Sequence, residues 1–207
     1  MTGNPPRLAP EDVFPAAVED SWEAVRWLEG DGARLLNADM SRCVVAGSSA
    51  GGNLAAVMCQ RAVSLGKSLF QGQILIVPVT DNTATTATNK AWKELEHTAA
   101  LPAEKMLWYR AHYLPDESEH ANPEASPLLW KGDWSTLPRA SIIIGELDVL
   151  SEEGRLFSER LQSAGVQSEL HVMKGMPHPF LAMDGVLEKG RVAISLMCES
   201  VVQMTSL

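Results

Sequence analysis

Within Arg42–Met58, RCVVAGSSAGGNLAAVM, an apolar run passes through Gly47-Ser48-Ser49-Ala50-Gly51-Gly52 into an Ala-rich run with helical character. A junction of this kind, with the pattern GxSxG, constrains the fold strongly. It demands a strand that turns sharply into a helix, with the central serine held in a strained backbone conformation. Glycines lack the Cβ that would keep strand and helix apart, so Gly47 and Gly51 are expected to be sterically required. The Ser49 hydroxyl then stands exposed, and the Ala50 N–H and the positive end of the helix dipole face the same point. Ser49 is the candidate nucleophile, and Ser48 occupies the variable position of the motif.

The rest of the chain repeats the strand-then-helix alternation. QILIVPV, SIIIGEL and SELHVMKG join RCVVAG as four short runs rich in Val, Ile and Leu. The first three in chain order are nearly continuous in apolar character, which reads as strands buried on both faces. Helical patterns cover residues 53–64, 152–163 (closed by Gly165) and 186–202. An earlier one places Val18, Trp22, Val25 and Leu28 at helical spacing behind Pro15 and is expected to end near Gly30. Strand then helix, repeated, predicts an α/β fold, a parallel sheet with flanking helices. The interval at about 80–127 is longer than an ordinary connection and holds a helical pattern at Ala103–Tyr113. Insertions at the carboxyl ends of parallel strands build binding sites. The whole of 1–207 is expected to form a single domain.

Charge and cysteine usage narrow the function. The net charge of −9, with 17 scattered Lys and Arg, argues against a nucleic-acid footprint and for a small-molecule or protein partner. Cys43, Cys59 and Cys198 form no CxxC pair, so neither a disulfide framework nor a zinc site is implied, and all three are expected to be reduced core residues. The polar, Pro-rich start MTGNPPRLAPED has no apolar leader segment, and no run is long enough to span a membrane. A soluble, cytoplasmic protein is the expectation.

A serine hydroxyl needs a base to take its proton and a carboxylate to orient that base. Of the 5 histidines, His97, His112 and His120 lie in the long insertion and His171 lies inside a strand pattern. His178, between Pro177 and Pro179 in KGMPHPF, follows the last strand at its carboxyl end and is the candidate base. In IIIGELDVLSEEG, Asp148 directly follows a strand and is the candidate acid. Glu152 and Glu153 are expected to open the next helix, where negative charge is favourable, and Glu146 to support the site from the strand end. The order Ser49, Asp148, His178 is that of α/β-hydrolases.

These segments resemble the hormone-sensitive-lipase-like family of α/β-hydrolases, in its carboxylesterase branch. RLAPEDVFPAAVED, GSSAGGNLAA, PVTDNTAT, GELDVLSEEG and GMPHPF follow one another in family order. The resemblance implies ester hydrolysis on a small-molecule substrate without a cofactor or metal, with Ser49, Asp148 and His178 as the triad and Ala50 N–H at the oxyanion. It makes 80–127 the cap side of the substrate site, with Trp92, Leu95, Met106 and Trp108 as candidate pocket walls and ordinary packing as the alternative. Ser48 stands where the family often has Asp, and Pro179 where Gly is common. The family's His-Gly-Gly oxyanion segment does not occur in this sequence. The resemblance therefore implies a chain equivalent to strands five to eight, N-terminally truncated, with Cys43–Ala46 on an uncovered edge open to self-association. A hydrolase inactive for want of that segment is one alternative; a thioesterase, amidase or lactonase of a biosynthetic pathway is the other.

Overall fold

The computed structural model describes residues 7–206; the first half of the Pro-rich start, residues 1–6, lies outside the described residues. Four parallel strands, β1 (Val44–Ser48), β2 (Gly72–Ile76), β3 (Ala140–Gly145) and β4 (Ser168–Met173), lie in the sheet in chain order. Val44 faces Gly72, Ile74 faces Ser141 and Ser141 faces Glu169, so the carboxyl ends of all four strands meet along one margin.

Side chains alternate across this sheet and divide the core. Leu75, Ile142 and Ile144 pack on one face with Val18, Trp22 and Val25 of α1 (Ala16–Trp27), Ala55 and Met58 of α3 (Ala50–Ser64), and Phe157 and Leu161 of α6 (Ser151–Ser163). Ile74, Ile76 and Ile143 pack on the other with Ala193 and Met204 of α7 (Glu188–Thr205). Each fully buried Ile or Leu contributes about 1.5–3 kcal/mol relative to an exposed one. β2 and β3 are buried throughout, as their apolar runs predict. β1 differs: Val44 and Val45 are half-buried and Ala46 is exposed. The strand is an edge, so its apolar character does not by itself cover it.

Three further expectations are adjusted. The first helix does end near Gly30, its regular part closing at Trp27, but a second short helix follows that the pattern does not carry. A wide turn at Leu28–Gly32, where Gly30 leaves helical geometry at φ −97° and ψ −114°, leads into α2 (Ala33–Leu36). Ala, Arg and Leu are good helix formers, and the chain stops only where Asn37 turns left-handed at φ 51°. α3 begins at Ala50, three residues earlier than its apolar pattern, because the glycines of the turn are already helical. Among the cysteines, Cys59 is buried and Cys43 half-buried, but Cys198 is exposed on α7.

The interval after β2 holds α4 (Lys90–Glu94) and α5 (Ala103–Tyr113). Its Val79, Ala84, Trp92, Leu101 and Met106 pack against Val149 and Leu150, just beyond β3. The insertion thus sits on the strand ends where the candidate acid lies. No helix among the described residues is long and apolar enough to cross a membrane.

Candidate active site

Ser49 connects β1 to α3 with φ 57° and ψ −118°. For a non-glycine residue such a backbone costs on the order of 1–3 kcal/mol and persists only where surroundings enforce it. Here Ser49 N–H donates to the Ile76 carbonyl at 2.8 Å, while the Ser49 carbonyl accepts from Asn53 N–H at 3.1 Å and Val79 N–H at 3.3 Å. The two motif glycines are not equivalent. A Cβ at Gly47 would stand 2.0 Å from the Gly51 carbonyl oxygen, whereas one at Gly51 would meet nothing within 4 Å. The close approach is the Gly51 backbone against Gly47, and the second tight position is Gly52, whose Cβ would stand 2.9 Å from Pro78 Cβ. Steric need therefore falls on Gly47 and Gly52, not on Gly47 and Gly51. Ala50 N–H heads α3, among the first helical donors that have no acceptor within the helix.

The two downstream candidates converge on this serine. His178 follows β4 through a turn in which Gly175 has φ 73°. Its Nε2 lies 2.8 Å from Ser49 Oγ, and its Nδ1 lies 2.8 Å from Asp148 Oδ2. The Asp148 carboxylate accepts, so Nδ1 carries the hydrogen and Nε2 is left as the acceptor for the serine hydroxyl. Asp148 is entirely buried, and its Oδ1 accepts from Leu150 N–H at 3.0 Å. Glu146 supports the histidine side, as its place at the strand end suggests. Its N–H donates to the Met173 carbonyl at 3.1 Å and its carboxylate accepts from Gly175 N–H at 2.7 Å, while Leu147 N–H donates to the Met176 carbonyl at 3.0 Å. The acid loop and the histidine loop are thereby joined side by side.

Residues 7–182 match the family described as alpha/beta hydrolase fold. The chain belongs to the α/β-hydrolase family. Within it, the sequence and its relatives place the chain in the hormone-sensitive-lipase-like, carboxylesterase group. It is 46% identical over 190 residues to an AB hydrolase superfamily protein of Schizosaccharomyces pombe, covering 90% of this chain and 55% of that protein. It is 37% identical over 177 residues to carboxylesterase NlhH of Mycobacterium tuberculosis, covering 84% and 54% respectively. The structure of EstE1, a thermostable carboxylesterase cloned from a metagenomic library, superimposes with a TM-score of 0.91 at 36% identity, over 98% of this chain and 68% of that one. The chain spans about half the length of these curated relatives. Its four parallel strands fit the C-terminal half of the α/β-hydrolase sheet.

The other residues singled out in this hydrolase sequence lie elsewhere. His171 is near Glu169 at 3.7 Å, His120 Nε2 is 3.1 Å from the Leu114 carbonyl, His112 packs edge-on against Trp108, and His97 is exposed. Trp92 is wholly buried and Met106 nearly so, both within the core of the insertion; Leu95 sits at the margin of that core and Trp108 is exposed on α5. Trp92 and Met106 thus present little or no surface to a ligand. An open cleft of about 530 Å³ lies away from the triad, lined by Trp22, Gln60, Arg61, Glu124 and Trp130 among others.

Glu152 and Glu153 do open α6, but neither serves only as a solvated helix-end charge. Glu152 Oε2 accepts from Ala91 N–H at 2.9 Å. Glu153 is fully buried: its Oε1 accepts from Thr80 N–H at 2.7 Å and Asp81 N–H at 3.2 Å, and its Oε2 from Trp92 Nε1 at 3.4 Å. Burial pushes its carboxyl up to about 8, helped by the Asp81 charge and opposed by the three N–H donors. Arg110, also buried, stacks over Trp92 at 4.9 Å and is the cation near Asp81 and Glu153.

Proposed function

We propose that the chain carries the reacting centre of a serine carboxylic ester hydrolase. The observation that supports this reading most is the hydrogen-bonded line from Ser49 Oγ through the His178 ring to Asp148, both steps at 2.8 Å, on a serine held at a strand-to-helix turn. In the first half-reaction Ser49 Oγ attacks the acyl carbon as His178 Nε2 takes the hydroxyl proton. Collapse of the tetrahedral intermediate breaks the ester C–O bond, and His178 returns that proton to the leaving alcohol. Water then attacks the acyl-serine with His178 again as base, releasing the carboxylic acid and restoring Ser49. Asp148 holds the imidazole in the tautomer required and stabilises the imidazolium; it takes no proton itself. The Ala50 N–H and the α3 dipole face the developing oxyanion.

The similarity to NlhH and EstE1, both carboxylesterases, favours a carboxylic ester over other acyl groups. The segment 80–127 is the substrate-side cap of a single domain in this reading, since its core rests on Val149 and Leu150 beside the acid. Three unpaired cysteines suit a reducing, cytoplasmic setting. The test is hydrolysis of p-nitrophenyl acetate and butyrate by the purified chain and by Ser49→Ala. Turnover that Ser49→Ala abolishes is expected; equal rates in both would overturn the proposal.

A further inference from the structure

We infer that Glu153 is a positioning residue: from the first turn of α6 its carboxyl group reaches the backbone after β2 that holds Ser49, and so fixes Asp148 in register with the serine side of the site. Its consequence for turnover rests on the ester-hydrolase reading above; the positioning itself does not.

Asp148 belongs to the start of α6, since its carbonyl accepts from Ser151 N–H at 3.0 Å and its carboxylate from Leu150 N–H at 3.0 Å. Where that helix start goes, Asp148 goes. Ser49 belongs to a different element, and the two are bridged by the residues 79–81. On one side Val79 N–H donates to the Ser49 carbonyl at 3.3 Å, and Asn53 of the same elbow helix donates through Nδ2 to the Val79 carbonyl at 2.9 Å. On the other side Thr80 N–H and Asp81 N–H donate to Glu153 Oε1, and Thr80 Oγ1 donates to the Glu153 carbonyl at 3.0 Å. Three consecutive residues thus carry the connection from the nucleophile's backbone to the acid's helix, and on the α6 side a single carboxyl group makes two of the three bonds.

Stability alone does not account for a carboxyl group in this place. A first-turn glutamate gains its helix-end interaction while remaining in water, whereas full burial brings a desolvation penalty that an apolar side chain of similar volume avoids. The groups facing it are Asp81 from the segment after β2, Arg110 from α5 and Trp92 from α4. The two backbone N–H groups define a direction, and a directional link is what a hydrogen-bonded line 2.8 Å per step requires.

The test compares Glu153→Ala, Glu153→Asp and Glu153→Gln in the full 207-residue chain. Gln keeps an acceptor oxygen at the same reach; Asp, one methylene shorter, folds with less disturbance than Ala but cannot span to both N–H groups. The primary readout is the far-downfield NMR signal of the proton between His178 Nδ1 and Asp148, which needs no substrate. The second is kcat per site counted by fluorophosphonate titration. The signal is expected to be shifted or lost in Glu153→Asp and Glu153→Ala and kept in Glu153→Gln. Per-site kcat should fall about 10- to 100-fold in the first two with KM nearly unchanged, the scale of a small misplacement. A lower melting temperature with signal and per-site kcat intact would make Glu153 merely structural and overturn the inference. So would Glu153→Gln as damaging as Glu153→Ala, or no such signal in the parent chain. A parent that hydrolyses no ester but loses the signal in Glu153→Asp would refute the proposed function and keep this inference. Ser49-dependent hydrolysis indifferent to Glu153 would do the reverse.

Discussion

In the proposed mechanism the chemistry at Ser49 and His178 depends on two hydrogen bonds of equal length, so losing either end of the line should be nearly as damaging as losing both. Ser49→Ala and His178→Ala are each expected to remove almost all ester hydrolysis, the double variant to be little worse, and Asp148→Asn to be severe, because residues acting as a unit are not additive. Steady-state kinetics on the four chains checks this. Glu153 gives a second prediction. Its folded value of about 8 lies above the ordinary carboxyl value of 4.5, so the folded state holds the proton more tightly than the unfolded chain. That contribution is fully present below about pH 4.5 and is lost as pH rises through about 8. The melting temperature of the parent should therefore fall relative to Glu153→Gln between pH 5 and 8, and a pH-independent gap would contradict it. Ser49, Asp148 and His178 were legible in the sequence because each sits at a strand's carboxyl end, where position follows from pattern. Glu153 and Arg110 were not, because their burial arises only when residues 80–81 and α5 meet α6, a juxtaposition no local pattern carries.

Among elements, the β1–α3 crossing is the most tightly constrained. Gly47→Ala would put a methyl group 2.0 Å from a backbone oxygen, which no rotamer change relieves, whereas Gly51→Ala adds one into open space. Gly47→Ala is expected to be destabilised by about 2–4 kcal/mol or to fail to fold, within the range of severe overpacking and strain. Gly51→Ala should stay within about 1 kcal/mol, and denaturant titration separates the two. The motif alone treats its two glycines alike; only the angle at which the helix leaves the strand distinguishes them. Strand positions were legible in the apolar runs. The exposure of β1 was legible only through the family resemblance, which makes Cys43–Ala46 an uncovered edge, since the Val-Val-Ala pattern alone suits a covered strand and an edge; the short helix after Gly30 was hidden because a glycine that ends one helix carries no signal that another begins.

Across the whole molecule, the β1 edge leaves Val44 and Val45 half-covered and Ala46 exposed, with Arg42 as the nearby charge, while Val201 and Val202 are exposed on α7. Open strand edges with apolar flanks pair with other chains. The purified 207-residue chain is expected to self-associate in size-exclusion chromatography with light scattering, and a monodisperse, cooperatively melting monomer would contradict this. One sheet margin brings three separated strand ends together, and in the proposed function this makes Ser49 the reactive serine of the chain. Labelling the folded protein with a fluorophosphonate and mapping the modified peptide tests that most directly. Label is expected on Ser49 in the parent chain and is expected to be lost in His178→Ala; label on Ser48 or another serine, or none on a folded sample, would contradict the assignment of Ser49.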